Sequence, residues 1–153
     1  PRGRDLDIPG REAAADNIHI GIDWLTSVAF KHVDKIGERV VVIGGGNTAM
    51  DCCRTALRLG GKDVRVTVRS PRADMKASDW EIEDAEREGI PIFDNHAPKE
   101  ILVENGRLTG VVFERMRSRQ RSIGWKGSAS SGSSSTKTAG APFTRFLLAS
   151  ASR

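Results

Sequence analysis

The sequence predicts an α/β fold: a three-layer domain built on a parallel sheet, with an added β-hairpin. Three observations lead there. The β-branched run RVVVI (39–43) stops at three glycines and passes into a helical pattern. A second strand pattern, DVRVTVR (63–69), follows that helix after a short Gly60-Gly61 turn. Strand, helix and strand make a βαβ unit, whose crossover is expected to be right-handed. Finally, two β-rich runs flank Asn105-Gly106, the favoured pair for a type I′ hairpin turn.

The elements follow in chain order. PRGRDLDIPGREAAADNIH is polar, punctuated by Pro9-Gly10 and lacking an initiating Met, and it reads as a connector. In GIDWLTSVAFKHV (21–33), Ile22, Leu25, Val28, Ala29 and Val33 recur near helical spacing. Connector and leading helix together fill residues 1–37. The run RVVVI has no polar alternation, as in a parallel strand covered on both faces. NTAMDCCRTALRLGG (47–61) is the crossover helix, with Ala49, Cys52, Cys53, Ala56, Leu57 and Leu59 on its apolar side. RSPRADMKAS (69–78) is a loop. SDWEIEDAEREG (78–89) is an acidic helix with Ser78 as N-cap, Glu81 completing a capping box and Gly89 ending it. IPIF (90–93) gives a third short strand, and KEILVENGRLTGVVFERM (99–116) the hairpin.

Beyond Met116 the composition changes. All 20 acidic residues lie at or before Glu114, whereas residues 115–153 carry eight basic groups and no acid. Residues 1–114 hold 16 basic against 20 acidic groups, a net of −4, so the overall +4 belongs to the tail. GSASSGSSST is linker-like, and residues 117–153 form a low-complexity basic tail expected to be disordered or poorly packed. Only FTRFLLA (143–149) is apolar enough to dock. Low hydrophobic (38%) and aromatic (5%) contents agree with a chain that is partly outside a core.

Several function classes drop out. The basic pI belongs to the tail and is no nucleic-acid footprint on the folded part. The tail's sparse arginines make a poor recognition surface, though Trp125 could stack, so nucleic acid is an unlikely partner. No apolar run approaches a membrane span and no signal peptide opens the chain, so a cytoplasmic location is expected. Cys52 and Cys53 are adjacent, a spacing that suits neither a relaxed disulfide nor a metal, and they read as small apolar fillers. His19, His32 and His96 have no metal or triad spacing, and the acidic helix reads as a solvated face.

The glycines carry the chemistry. Gly44, Gly46 and Ala49 fit G-x-G-x-x-A between a strand and a helix, with Gly45 inside the motif. One glycine makes the turn, the next lets main chain approach a pyrophosphate, and the alanine lets helix and strand lie close, which makes this a Rossmann-like site. Asn47 and Thr48 add side-chain donors, and the helix N-terminus points its dipole at the phosphates. Asp51, placed in the first helical turn, either answers that dipole or hydrogen-bonds the cofactor. At the end of the second strand, where an NAD site carries an acid, stand Arg69, Ser70 and Arg72. Two guanidiniums and a hydroxyl suit a 2′-phosphate, favouring NADP(H) with NAD(H) as the alternative.

GERVVVIGGGNTAMDCCRTALRLGGKDVRVTVRSPRADMKAS resembles the NAD(P)-binding domain of glutamate synthase small-subunit-type, FAD-dependent pyridine nucleotide oxidoreductases. GRDLDIPGRE resembles the connector into that domain, and EGIPIFDNHAPKEILVENGRLTGVVFERM the rest of it, so the likeness covers residues 2–116. It implies a two-dinucleotide flavoprotein in which NAD(P)H passes hydride to FAD and electrons continue, often to an iron–sulfur partner. Gly44, Gly46, Asn47, Thr48 and Ala49 would cradle the pyrophosphate, and Arg69 and Arg72 would address the 2′-phosphate. Members often have a second arginine where this chain has Ser70. Only one glycine fingerprint is present, so FAD would belong to a domain or subunit outside this chain, which alone is expected to be an inactive fragment. The tail departs from the family, as a divergent, truncated or frame-shifted stretch would. The competing expectation is a non-enzymatic interaction protein whose basic tail binds nucleic acid or an acidic partner. A self-standing Rossmann enzyme of another type would need a catalytic Tyr–Lys pair, and the chain has no tyrosine.

Overall fold

A computed structural model describes residues 7–116 and two further strands, 135–137 and 145–148. The strands are β1 (Ile18–Ile20), β2 (Arg39–Ile43), β3 (Asp63–Thr67), β4 (Ile92–Phe93), β5 (His96–Glu104), β6 (Arg107–Arg115), β7 (Ser135–Lys137) and β8 (Arg145–Leu148). The helices are α1 (Gly21–Ala29), α2 (Asn47–Arg58) and α3 (Asp79–Arg87). Five strands form one parallel sheet in the order β1-β8-β2-β3-β4, and β5-β6-β7 form an antiparallel sheet.

Alternation along β2 explains the layers. Val40 and Val42 face a core shared with Trp24 of α1, with Ala49, Met50, Cys52, Cys53 and Ala56 of α2, and with Ile82 and Ala85 of α3. Val41 faces the opposite core, with Ile18, Ile101, Leu108, Val111 and Phe113. Helices cover one face and the antiparallel sheet the other, so Val40, Val41 and Val42 are buried on both sides of the sheet while Arg39 and Ile43 at the strand's ends are partly exposed.

The helix stops are chemical. Past α2, Gly60 has φ +100°, and the N–H groups of Gly60 and Gly61 bond the carbonyls of Leu57 and Ala56. Past α3, Gly89 has φ +84°, and the N–H groups of Gly89 and Ile90 bond Glu86 and Ala85. Both are Schellman ends, in which glycine takes the left-handed position. Asn105 (φ +51°) and Gly106 (φ +71°) turn the hairpin with the two positive φ values of a type I′ turn.

Some details differ from the sequence reading. Strand β1 sits in the stretch read as connector; three residues are too few to show alternation. Helix α1 ends at Ala29, with Lys31 at φ +59°; it buries Trp24, leaves Ile22 exposed, and Val33 lies in the following loop. The predicted capping pair of α3 does meet, but the Ser78 hydroxyl donates to Glu81 Oε2 at 3.0 Å and caps no backbone N–H. Strand β5 starts at His96 and carries a register shift between Pro98 and Glu100. The 143–149 segment contributes β8 to the interior of the parallel sheet, between β1 and β2, and β7 extends the hairpin. The rest of the tail expectation lies outside the described residues.

Cys52 and Cys53 are fully buried on α2, and the Cys53 thiol donates to the Met50 carbonyl at 3.1 Å. Burial pushes both thiols up from 9.0 to about 12. Unfolded thiols ionise near pH 9 while the folded ones keep their protons, so their contribution to stability is whole below pH 9 and is lost as pH rises towards 12. We expect the native chain to resist a thiol reagent at pH 8, with two equivalents reacting in denaturant, and urea midpoints to fall between pH 9 and 11. Cys52→Ala/Cys53→Ala should flatten that fall; an unchanged pH profile would contradict the assignment.

Candidate functional site

The turn between β2 and α2 is built from three glycines in three different situations. Gly44 has φ +147°, where an L side chain is strained, and its N–H donates to the Thr67 carbonyl at 3.0 Å, continuing the β2–β3 pairing. Gly45 is buried; a Cβ there would lie 2.6 Å from Val68 Cγ1. Its carbonyl accepts from the N–H groups of Lys76 (3.1 Å) and Ala77 (3.0 Å), which strap the next loop across the turn. Gly46, in ordinary extended backbone, is the N-cap of α2, and its carbonyl accepts from Ala49 and Met50. No side chain caps this helix. The N–H groups of Asn47 and Thr48 find no acceptor among the described residues, which leaves orphan donors at the positive end of a twelve-residue helix. This arrangement matches what a pyrophosphate requires: bare main chain, free N–H groups and a favourable dipole.

Other residues divide differently from expectation. Ala49 is fully buried and seats α2 on the sheet. Asn47 is exposed, but its Oδ1 accepts the Ser78 N–H at 3.2 Å, tying the start of α2 to that of α3 and leaving the amide NH2 as its donor. Thr48 is half-buried. Asp51 is the fifth residue of α2, exposed and beyond the first turn, which contains no acid. Asp51 therefore lies past the first turn of a helix that starts at Asn47 as expected, not within it, and does not answer the helix dipole.

The end of β3 gathers the second group. Beyond Thr67 the pairing continues, with the Val68 N–H donating to the Phe93 carbonyl and the Val68 carbonyl accepting from His96, both at 2.8 Å. Arg69 is exposed and makes no ion pair among the described residues. Ser70 is half-buried, and its carbonyl accepts the Asn95 N–H at 3.1 Å. Arg72 is held twice. Its backbone N–H donates to Asp94 Oδ2 at 3.1 Å, and its guanidinium forks onto Glu86 of α3, Nη1 to Oε1 at 2.5 Å and Nη2 to Oε2 at 2.8 Å. These bonds hold the Glu86 carboxyl below its usual range and raise Arg72 further. The fold thus brings both arginines to one strand end with unequal charge. Neither Glu86 nor the Lys76-Ala77 strap was singled out by the sequence; both act across 14 or more residues, where no periodicity reports them.

Among the described residues no cluster of three or more His, Cys, Asp or Glu is arranged to hold a metal, and no helix is long and apolar enough to cross a membrane.

Comparison with known proteins places these features in context. The profile of the "Pyridine nucleotide-disulphide oxidoreductase" family matches residues 2–122. A "Putative glutamate synthase [NADPH] small chain" of Cereibacter sphaeroides is 44% identical over 123 residues, covering 74% of this chain and 29% of that protein. The "NADPH-Fe(3+) oxidoreductase subunit beta" of Geobacter sulfurreducens is 41% identical over 97 residues, covering 63% of this chain and 14% of that one. The chain thus spans less than a third of these relatives. Thioredoxin reductase of Lactococcus lactis shares the fold, with a TM-score of 0.72 at 19% identity over 98% of this chain and 42% of its own.

The seat of Gly45 gives a direct test. Gly45→Ala should destabilise the chain by about 1–3 kcal/mol, because the added methyl would press on Val68, which is buried and held through its main chain to Phe93 and His96. Urea denaturation followed by circular dichroism measures this, and an unchanged midpoint would refute the contact.

Proposed function

The chain belongs to the pyridine nucleotide-disulphide oxidoreductase family, and on that premise we propose that it is the NADP(H)-binding portion of a flavin-dependent oxidoreductase of glutamate synthase small-chain type. The observation that carries the reading is the β2–α2 turn: Gly44 in a glycine-only conformation, Gly45 and Gly46 buried, and an uncapped helix start behind them. Gly44 to Ala49 would receive the pyrophosphate, with the Asn47 amide and the Thr48 hydroxyl as side donors. Arg69 would meet the 2′-phosphate first, with Ser70 and Arg72 beside it. Asp51, exposed one turn along α2, is assigned to the rim of the same crevice.

A reduced pyridine nucleotide supplies hydride, and in this family's chemistry a flavin takes it up. This chain's residues bind and orient the nucleotide; none is assigned a proton-transfer role. With one glycine fingerprint in the sequence, FAD is assigned to a domain or subunit outside this chain, and onward electron transfer to an iron–sulfur partner. Relatives named "NADPH-Fe(3+) oxidoreductase subunit beta" and "NADP(+)-dependent formate dehydrogenase subunit beta" support a place in a larger assembly. A cytoplasmic setting fits the buried reduced thiols.

Calorimetric titration of the 153-residue chain with NADP+ and NAD+ tests the reading. We expect tighter NADP+ binding, with Arg69→Ala weakening NADP+ about tenfold (~1.4 kcal/mol) and leaving NAD+ unchanged. No turnover with NADPH is expected from the chain alone. Equal affinity for the two nucleotides, or none for either, overturns the proposal.

A further inference from the structure

Helix α3, read from sequence as a solvated acidic face, reaches the ribose end of the site through one side chain. We propose that Glu86 is a specificity-determining residue: by occupying Arg72, it holds down the chain's preference for the 2′-phosphorylated nucleotide. The inference rests on the NADP(H) reading and adds a residue that opposes it.

A guanidinium offers five N–H donors in a rigid fork. Glu86 takes one from Nη1 and one from Nη2, closing the end-on edge, while Asp94 fixes the Arg72 backbone. Only the Nε edge stays open. A phosphate arriving at Arg72 has two courses. It displaces the carboxylate and loses two charge-assisted bonds, or it takes the Nε edge and sits across one guanidinium from a like charge. Either course subtracts from binding of a 2′-phosphate and costs nothing for a ribose with a free 2′-OH. The asymmetry with Arg69 sharpens the point, since Arg69 makes no ion pair with a carboxylate among the described residues. The site therefore presents about one uncommitted positive charge where the sequence displays two.

Glu86→Gln removes the charge and keeps the shape. Glu86 and Arg72 are about two-fifths and one-half exposed, which sets the effect in the range of surface pairs: roughly three- to fivefold in affinity. The 153-residue chain, as wild type, Glu86→Gln, Arg72→Ala and the double variant, is titrated calorimetrically with NADP+, NAD+ and 2′,5′-ADP. We expect Glu86→Gln to bind NADP+ and 2′,5′-ADP about three- to fivefold tighter, with NAD+ unchanged. That gain should shrink with added salt and vanish on the Arg72→Ala background. An unchanged or weaker NADP+ affinity in Glu86→Gln overturns the proposal, as does an equal gain for NAD+ or a gain that survives Arg72→Ala. Urea midpoints of all four proteins confirm that folded chains are compared. Failure of the underlying reading looks different: wild type itself would not distinguish NADP+ from NAD+, and Arg69→Ala would change nothing.

Discussion

The seating of one loop against one strand governs this molecule. Gly45 lies so close to Val68 that a Cβ there would meet Val68 Cγ1 at 2.6 Å, and its carbonyl gathers the two N–H groups that bring the 76–77 segment over it. Those contacts set where α2 starts. Because α2 starts at Asn47 with nothing capping it, its free N–H groups point out of the sheet end. The middle glycine holds the scaffold, and its neighbours supply the bare surface. A motif usually explained by its ligand is here explained first by packing.

The end of β3 obeys a different rule. Main chain positions it, through the Val68 bonds to Phe93 and His96 and the Asn95 bond to Ser70, but charge decides what it can do. Two arginines in nearly equivalent sequence positions end in opposite states, because one lies within reach of α3 and the other does not. Counting basic residues near a strand end overstates the charge offered to a ligand whenever an acidic helix packs alongside.

How much of this was legible beforehand follows from the range of each interaction. The βαβ unit, the Schellman glycines, the Asn105-Gly106 turn and the double burial of 40–42 all depend on residues a few positions apart, and local pattern reveals them. The glycine turn at Gly44–Ala49 is equally local. Long-range pairing is not. Strand β1 at Ile18–Ile20 is too short to alternate, Glu86 meets Arg72 only because α3 folds back, and the hydrogen bond from Ser78 to Asn47 spans 31 residues. The helix start at Asn47 was read correctly, and only the extent of its first turn was overstretched to include Asp51.

The place of β8 has a consequence for how the chain is made. It lies between β1 and β2, and among the described residues β1 has no other strand neighbour. Residues 18–20 therefore wait for residues 145–148, so this edge of the sheet closes only after the segment between them has been made. Such distant pairing is slow. Until it forms, the ribbon at 39–43 stands with one flank bare, and that interval is when a newborn chain is most open to sticking to its neighbours.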